Sequence, residues 1–223
     1  MRRLVVLMLI VIAVAILVYD SGKGNEGTKK ITGSATGVAH VSFRILSACD
    51  IMMKEGWNLI SICQNMTNKT VISAFKDIEG DYRYVMEWNE SRQAFDIYSP
   101  LSVSNPFDYL AENKSYFIYL IPLNGTINPG GRDFGDMDIP MILGWNTPAY
   151  PYEFETDILK YLDSINNSYR YVMVWNASSQ KFLIFSPLAV QNEFSNITGG
   201  EGQFVYVSNA SGAILKYNKS ALG

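Results

Sequence analysis

Tyr82-Arg-Tyr-Val-Met-Glu-Trp-Asn89 returns as Tyr169-Arg-Tyr-Val-Met-Val-Trp-Asn176, 87 positions later and with one change in eight. At the same offset Phe95 meets Phe182, Ser99-Pro100-Leu101 meets Ser186-Pro187-Leu188, and Asn105-x-Phe107 meets Asn192-x-Phe194. Gly56-Trp57-Asn58 aligns with Gly144-Trp145-Asn146 one insertion away. A match of this length and order marks an internal duplication, so the chain carries two diverged copies of one unit, in tandem or as a pseudo-symmetric pair.

Each copy reads as the same succession of elements. Trp57 to Ile62 is a β-rich run, and Thr147-Pro148 shortens its counterpart in the second copy. Val71, Ile72, Phe75 and Ile78, matched by Ile158, Leu159, Leu162 and Ile165, fall at i, i+1, i+4, i+7, the spacing of one helical face; Thr70 and Asp157 stand at the N-cap position. A hairpin follows, with Tyr82 to Trp88 and Ala94 to Tyr98 flanking Asn89 to Gln93, and Tyr169 to Trp175 and Lys181 to Phe185 flanking Asn176 to Gln180. A short helical turn around Phe107 to Leu110 then leads to a closing strand, Tyr116 to Ile121 or Phe204 to Val207. The predicted fold is α+β and β-rich: two tandem β-α-β-β-(α)-β repeats behind an N-terminal hydrophobic helix. The expected divisions are 1–22 as membrane anchor or signal segment, 23–48 as membrane-proximal linker and strand, and 49–123 as the first module. A linker, 124–140, the second module, 141–210, and a tail, 211–223, complete the chain.

The N-terminus sets the compartment. Met1-Arg2-Arg3 precedes an unbroken apolar run, Leu4 to Tyr19, and a polar stretch from Asp20 follows it. Sixteen residues fall between the length of a signal-peptide core and that of a spanning helix. Cutting after Ala13-Val14-Ala15 would leave the cleavage point inside the apolar run, which favours an uncleaved anchor; secretion after signal cleavage is the alternative. The arginines ahead of the segment put the first residues in the cytoplasm and everything after Tyr19 outside, a single-pass arrangement that uses residues 4–19 to meet the membrane.

Ten Asn-x-Ser/Thr sequons, at Asn65, Asn68, Asn89, Asn113, Asn124, Asn166, Asn176, Asn196, Asn209 and Asn218, all lie beyond that segment. Chance would supply about two from this composition, so the sequence expects a glycoprotein. Cys49 and Cys63 are the only cysteines. In an exported chain they are expected to form a disulfide, worth about 3 kcal/mol for a loop of this length.

Gly56-Trp57-Asn58-Leu59-Ile60-Ser61, followed by a tyrosine-rich hairpin and an aromatic closing strand, resembles the GWNLIS-type repeat modules of archaeal and some bacterial surface proteins. The likeness covers both copies, roughly Cys49 to Asn209, and the second departs from it at Thr147-Pro148. It implies a cell-envelope protein and supplies no catalytic residues.

Chemistry is scarce. A formal charge of −3 and a pI near 5.2 provide no basic surface to neutralise phosphates, so no nucleic-acid partner is expected. The single histidine, His40, lies in an alternating, strand-like stretch within Ile31 to Leu46, with no nucleophile motif beside it. Asp133, Asp136 and Asp138 offer oxygen ligands to calcium but match no EF-hand spacing and read as a solvated linker. Carboxylates around Glu87 and Asp96 are not repeated, since Val174 and Leu183 replace them. The four tryptophans recur at equivalent places and read as core, with sugar stacking as the alternative. No catalytic, cofactor or metal site is expected. The predicted function is a non-enzymatic, membrane-anchored surface glycoprotein with a structural, adhesive or assembly role, partnered by other envelope proteins or by its own copies. A carbohydrate-binding or sensing ectodomain is the alternative.

Overall fold

The computed structural model describes residues 49–222. The predicted N-terminal helix, the membrane contact through 4–19, the strand-like stretch from Ile31 to Leu46 and His40 all lie outside them. Two four-stranded antiparallel sheets organise the described chain. The first runs β1 (Ile51–Ser61), β4 (Ser115–Ile127), β2 (Tyr82–Asn89), β3 (Ala94–Tyr98); the second runs β6 (Gly144–Asn146), β11 (Gln203–Val207), β8 (Tyr169–Asn176), β9 (Lys181–Phe185). Their equal order, in equivalent elements, is the duplication expressed as structure. Two ribbons attach to the second half: β5 (Met137–Met141) pairs with β12 (Ala213–Tyr217), and β7 (Thr156–Asp157) with β10 (Asn196–Ile197).

The α+β assignment is corrected. About 45% of the described residues are in strands and 10% in helix, and the helices are short. The predicted helix is one α-turn, α1 (Val71–Ala74) or α2 (Ile158–Tyr161), followed by a 3₁₀ turn at Lys76–Ile78 or Asp163–Ile165. The caps stand where the sequence put them: Thr70 Oγ1 accepts the Ser73 N–H, and Asp157 Oδ1 accepts those of Leu159 and Lys160. The periodic face survives because α-turn and 3₁₀ turn together bury Val71, Phe75 and Ile78 against the sheet; in a 3₁₀ turn i and i+3 still eclipse. Ile72 and Leu159, read as part of that face, are exposed. The turn expected at Phe107 to Leu110 is not helical: Tyr109 bridges Thr70, and its counterpart is the strand β10. The stretch 124–140 holds the end of β4 and most of β5, and 211–223 holds β12 and a last turn, α3 (Lys219–Leu222). Cys49 and Cys63 form the disulfide, with Cα atoms 5.8 Å apart.

Each sheet uses both faces. One packs on its own turns, Val85, Tyr98, Tyr116 and Ile118 meeting Val71, Ala74, Phe75 and Ile78. The other packs on the opposite sheet through aromatic rings: Phe117 lies 6.0 Å from Phe204 and 5.4 Å from Trp175, and Trp88 lies 5.7 Å from Phe204. The Phe117–Trp175 and Trp88–Phe204 pairs are edge-on, a geometry that adds to the gain from burial alone.

The backbone joins the halves as well. Ser61 N donates to Gly200 O and Gly202 N to Leu59 O; in the equivalent place Ser115 N donates to Thr147 O and Ala149 N to Asn113 O. Because each half gives what it receives, the relation is an approximate two-fold, as in an isologous interface. The hairpin loops complete it. Gln180 Oε1 accepts the Trp57 N–H at 2.9 Å and its Nε2 donates to Trp57 O at 3.0 Å; Gln93 does the same to Trp145 at 2.9 and 2.9 Å. Trp175 Nε1 also donates to Trp57 O, and Trp88 Nε1 to Trp145 O.

The Gly-Trp-Asn motif follows from this clasp. Gly56 and Gly144 have φ of +88° and +105°, and a Cβ on either would come within 3 Å of the glutamine Oε1. Asn58 and Asn146 are buried and tie the bulge: Asn58 Oδ1 accepts Lys54 N–H while its Nδ2 donates to Lys54 O and Gly56 O, and Asn146 repeats this with Ile142 and Gly144. Gln93 and Gln180 themselves sit at φ of +50° and +52°, a conformation that costs a non-glycine residue about 1 kcal/mol. Replacing either glutamine with alanine is therefore expected to lower unfolding free energy by about 1–2 kcal/mol in denaturant titrations, because the paired backbone groups lose their partner. A change within error at both sites would show the clasp to be incidental.

Candidate functional site

Catalytic chemistry would need convergent polar groups, and the charged groups that do converge are paired with one another. Lys114 Nζ donates to Glu87 at 2.7 Å, Glu90 at 3.0 Å and Trp88 O at 3.1 Å. Burial alone would lower the Lys114 pKa; the two carboxylates outweigh it and raise it. Asp96 is held below its ordinary pKa chiefly by the hydrogen bond from Arg92. Of the three calcium candidates, Asp133 accepts from Lys219 Nζ and Asp136 from Lys219 N, while Asp138 lies in β5, and among the described residues no cluster of three metal-binding side chains occurs. Trp57, Trp88 and Trp145 are buried and offer no open stacking face.

A different surface is built twice. The loop after β3 exposes Leu101 by 77% and Val103 by 106%; the loop after β9 exposes Leu188 by 81% and Val190 by 107%. Neighbouring positions have diverged, Ser102 to Ala189 and Pro106 to Glu193, while these apolar tips stay. Both loops are held alike. Asn105 Oδ1 accepts the Ser99 N–H at 2.9 Å and Asn192 Oδ1 that of Ser186 at 2.8 Å, and the Ser102 and Ala189 N–H groups close turns on Ser99 O and Ser186 O. Aliphatic side chains that cost free energy in water, carried twice on pre-formed loops, suit contact with another surface. Hydropathy along the sequence did not single them out, since Ser-Pro-Leu reads as an ordinary turn.

The sequon asparagines form the second surface feature. None of the ten is buried: Asn89, Asn113 and Asn176 are half-buried and the other seven exposed. Among the described residues the two fully buried asparagines, Asn58 and Asn146, lie outside sequons. At Asn68, Asn176 and Asn209 the Oδ1 accepts the N–H two residues on, that of the sequon Ser or Thr, which fixes the amide on a turn.

No protein-family model matches this chain, and neither a curated protein nor a solved structure does.

The buried tyrosines govern alkaline behaviour. Burial raises the Tyr82, Tyr152 and Tyr169 hydroxyls from 10.0 to about 12, and Tyr116, Tyr161 and Tyr217 further. A phenol whose folded pKa lies above the unfolded one binds its proton more tightly when folded, so its contribution is complete below pH 10 and is lost as pH climbs towards 12. Tyrosinate absorbance is expected to rise together with loss of circular dichroism in that window. Titration of all fourteen tyrosines near pH 10 with the fold intact would contradict the packing.

Proposed function

We propose that this chain is an exported surface glycoprotein, held in the membrane by residues 4–19, whose paired halves serve a structural, adhesive or assembly role without catalysis. The observation that carries this reading is that none of the ten sequon asparagines of this disulfide-bonded β fold is buried, seven being exposed, while the buried asparagines Asn58 and Asn146 lie outside the motif. The repeated apolar loops supply the contact surface that adhesion or assembly needs. Anchoring is assigned to the apolar run from Leu4 to Tyr19; among the described residues no helix is long and apolar enough to cross a membrane. The likeness of Gly56 to Ser61 to GWNLIS-type modules supports the same reading. Burial of Trp57, Trp88 and Trp145 weighs against the sugar-binding alternative, which leaves it only the half-buried Trp175 among the tryptophans.

Intact-mass and glycopeptide analysis of protein from its native host is expected to find several of the ten asparagines modified and the apolar N-terminus retained in the membrane fraction. An unmodified chain in the cytosolic fraction would overturn the proposal.

A further inference from the structure

An exposed sheet edge is a template for another strand, and folds block such edges. Among the described residues the two four-stranded sheets have four edges, and the chain itself meets three of them. The β1 edge is met at Lys54 by Asn58, at Trp57 by Gln180 and from Leu59 to Ser61 by residues 200–202, and the β6 edge by Gln93 and residues 113–115. The β9 edge is taken by Glu193, whose Oε2 accepts the Ile184 N–H at 2.7 Å and whose own N–H donates to Ile184 O at 3.4 Å. In the equivalent place beside β3 stands Pro106, which has neither a carboxylate nor an N–H. Ile97, the counterpart of Ile184, is 46% exposed against 37%.

The open stretch is short and has definite ends. The Ser99 N–H points outward to Asn105 Oδ1, and residues two apart along a strand share a side, so Phe95 and Ile97 present their N–H and C=O groups outward too. Beyond Phe95 the hairpin loop begins; beyond Ile97 Asn105 occupies the edge through Ser99 N and O.

We infer that β3 is a self-association site, through which two copies of this chain join edge to edge about a two-fold axis. The argument for a second copy is self-complementarity. With Phe95 of one chain opposite Ile97 of the other, and the reverse, the antiparallel pattern satisfies all four outward groups on each strand. A longer foreign strand would gain no more, because both ends are closed. Asp96 then meets its counterpart across the axis, each carboxylate already paired with Arg92 of its own chain and with Asn89 Nδ2. A glycan on Asn89 lies beside that centre and blocks it, so association belongs to chains unmodified at that acceptor. Four hydrogen bonds make a weak contact in solution, and tethering of both partners in one membrane raises their effective concentration.

The test uses the full-length chain in detergent with Ser91→Ala, which removes the Asn89 sequon and leaves Asn89 in place. Sedimentation is expected to show a monomer–dimer equilibrium. Pro106→Glu, which restores the Glu193 arrangement, should weaken it by about tenfold or more with the thermal transition retained. Asp96→Cys should give a covalent dimer under mild oxidation, since facing residues in a non-hydrogen-bonded pair have Cα atoms about 4.5 Å apart; Ile72→Cys should not. Glu193→Ala, which opens the second edge, should yield species larger than dimers. A monomer throughout, or a dimer indifferent to Pro106→Glu, would overturn the inference, and neither outcome bears on glycosylation or anchoring.

Discussion

The structure hangs on one reciprocal contact: a glutamine from the hairpin loop of each half takes both backbone groups of the tryptophan that opens the other half. The Trp57 and Trp145 main chains lie on strand edges, where N–H and C=O must be paired or wetted. Pairing them with a side chain from the opposite half blocks the edge, fixes the mutual position of the two sheets and seats the Trp88 and Trp175 indoles in the same act. The glycine before each tryptophan and the asparagine after it are consequences, the first making room and the second tying the bulge. The most distinctive residues in the sequence are therefore architectural, and functional reading has to begin from the surface.

This mutual dependence distinguishes the molecule from a string of modules. Each half completes the other's ladder at Ser61, Ser115, Thr147 and Gly202, and the rings of Phe117 and Phe204 belong to a core that neither half encloses alone. Small domains bury too little surface to be comfortably stable. Two copies that share a third, aromatic core escape that limit without lengthening either one, and the Cys49–Cys63 disulfide secures the start of the first half.

What could be read in advance follows from the range of the interaction involved. Hairpins, caps and the disulfide are local, and the alternation of Tyr82 to Trp88, the acceptor at Thr70 and the thirteen-residue loop between the cysteines announce them directly. The helices were overestimated because an i, i+1, i+4, i+7 pattern is satisfied equally by one α-turn and a 3₁₀ turn, and Phe75, with φ −108° and ψ 21°, already leaves the helix. Strand β12 lies in the stretch read as a tail: Leu215 and Tyr217 face inward and Ile214 outward, but its partner lies more than seventy positions earlier and nothing local names it. The clasp was invisible for the same reason. Gln93 and Gln180 look like ordinary loop residues until the opposite half is brought to them.

Divergence between the copies is where the fold leaves choices. Positions facing the shared core stay aromatic, as Phe95 and Phe182 or Phe117 and Phe204 show, because a change there must be matched across the two-fold. Pro148, the counterpart of Ile60, is tolerated because only its carbonyl is needed: it accepts from Ser115 Oγ and Gln203 Nε2. Facing solvent, Pro106 and Glu193 have drifted apart at no cost to either core, and the difference falls on an edge. The two copies thus differ at this edge, with β9 blocked by Glu193 and β3 left open. A pair of open edges would propagate copy on copy, whereas a single one stops at two, so this asymmetry limits how far copies of this chain can assemble through β3.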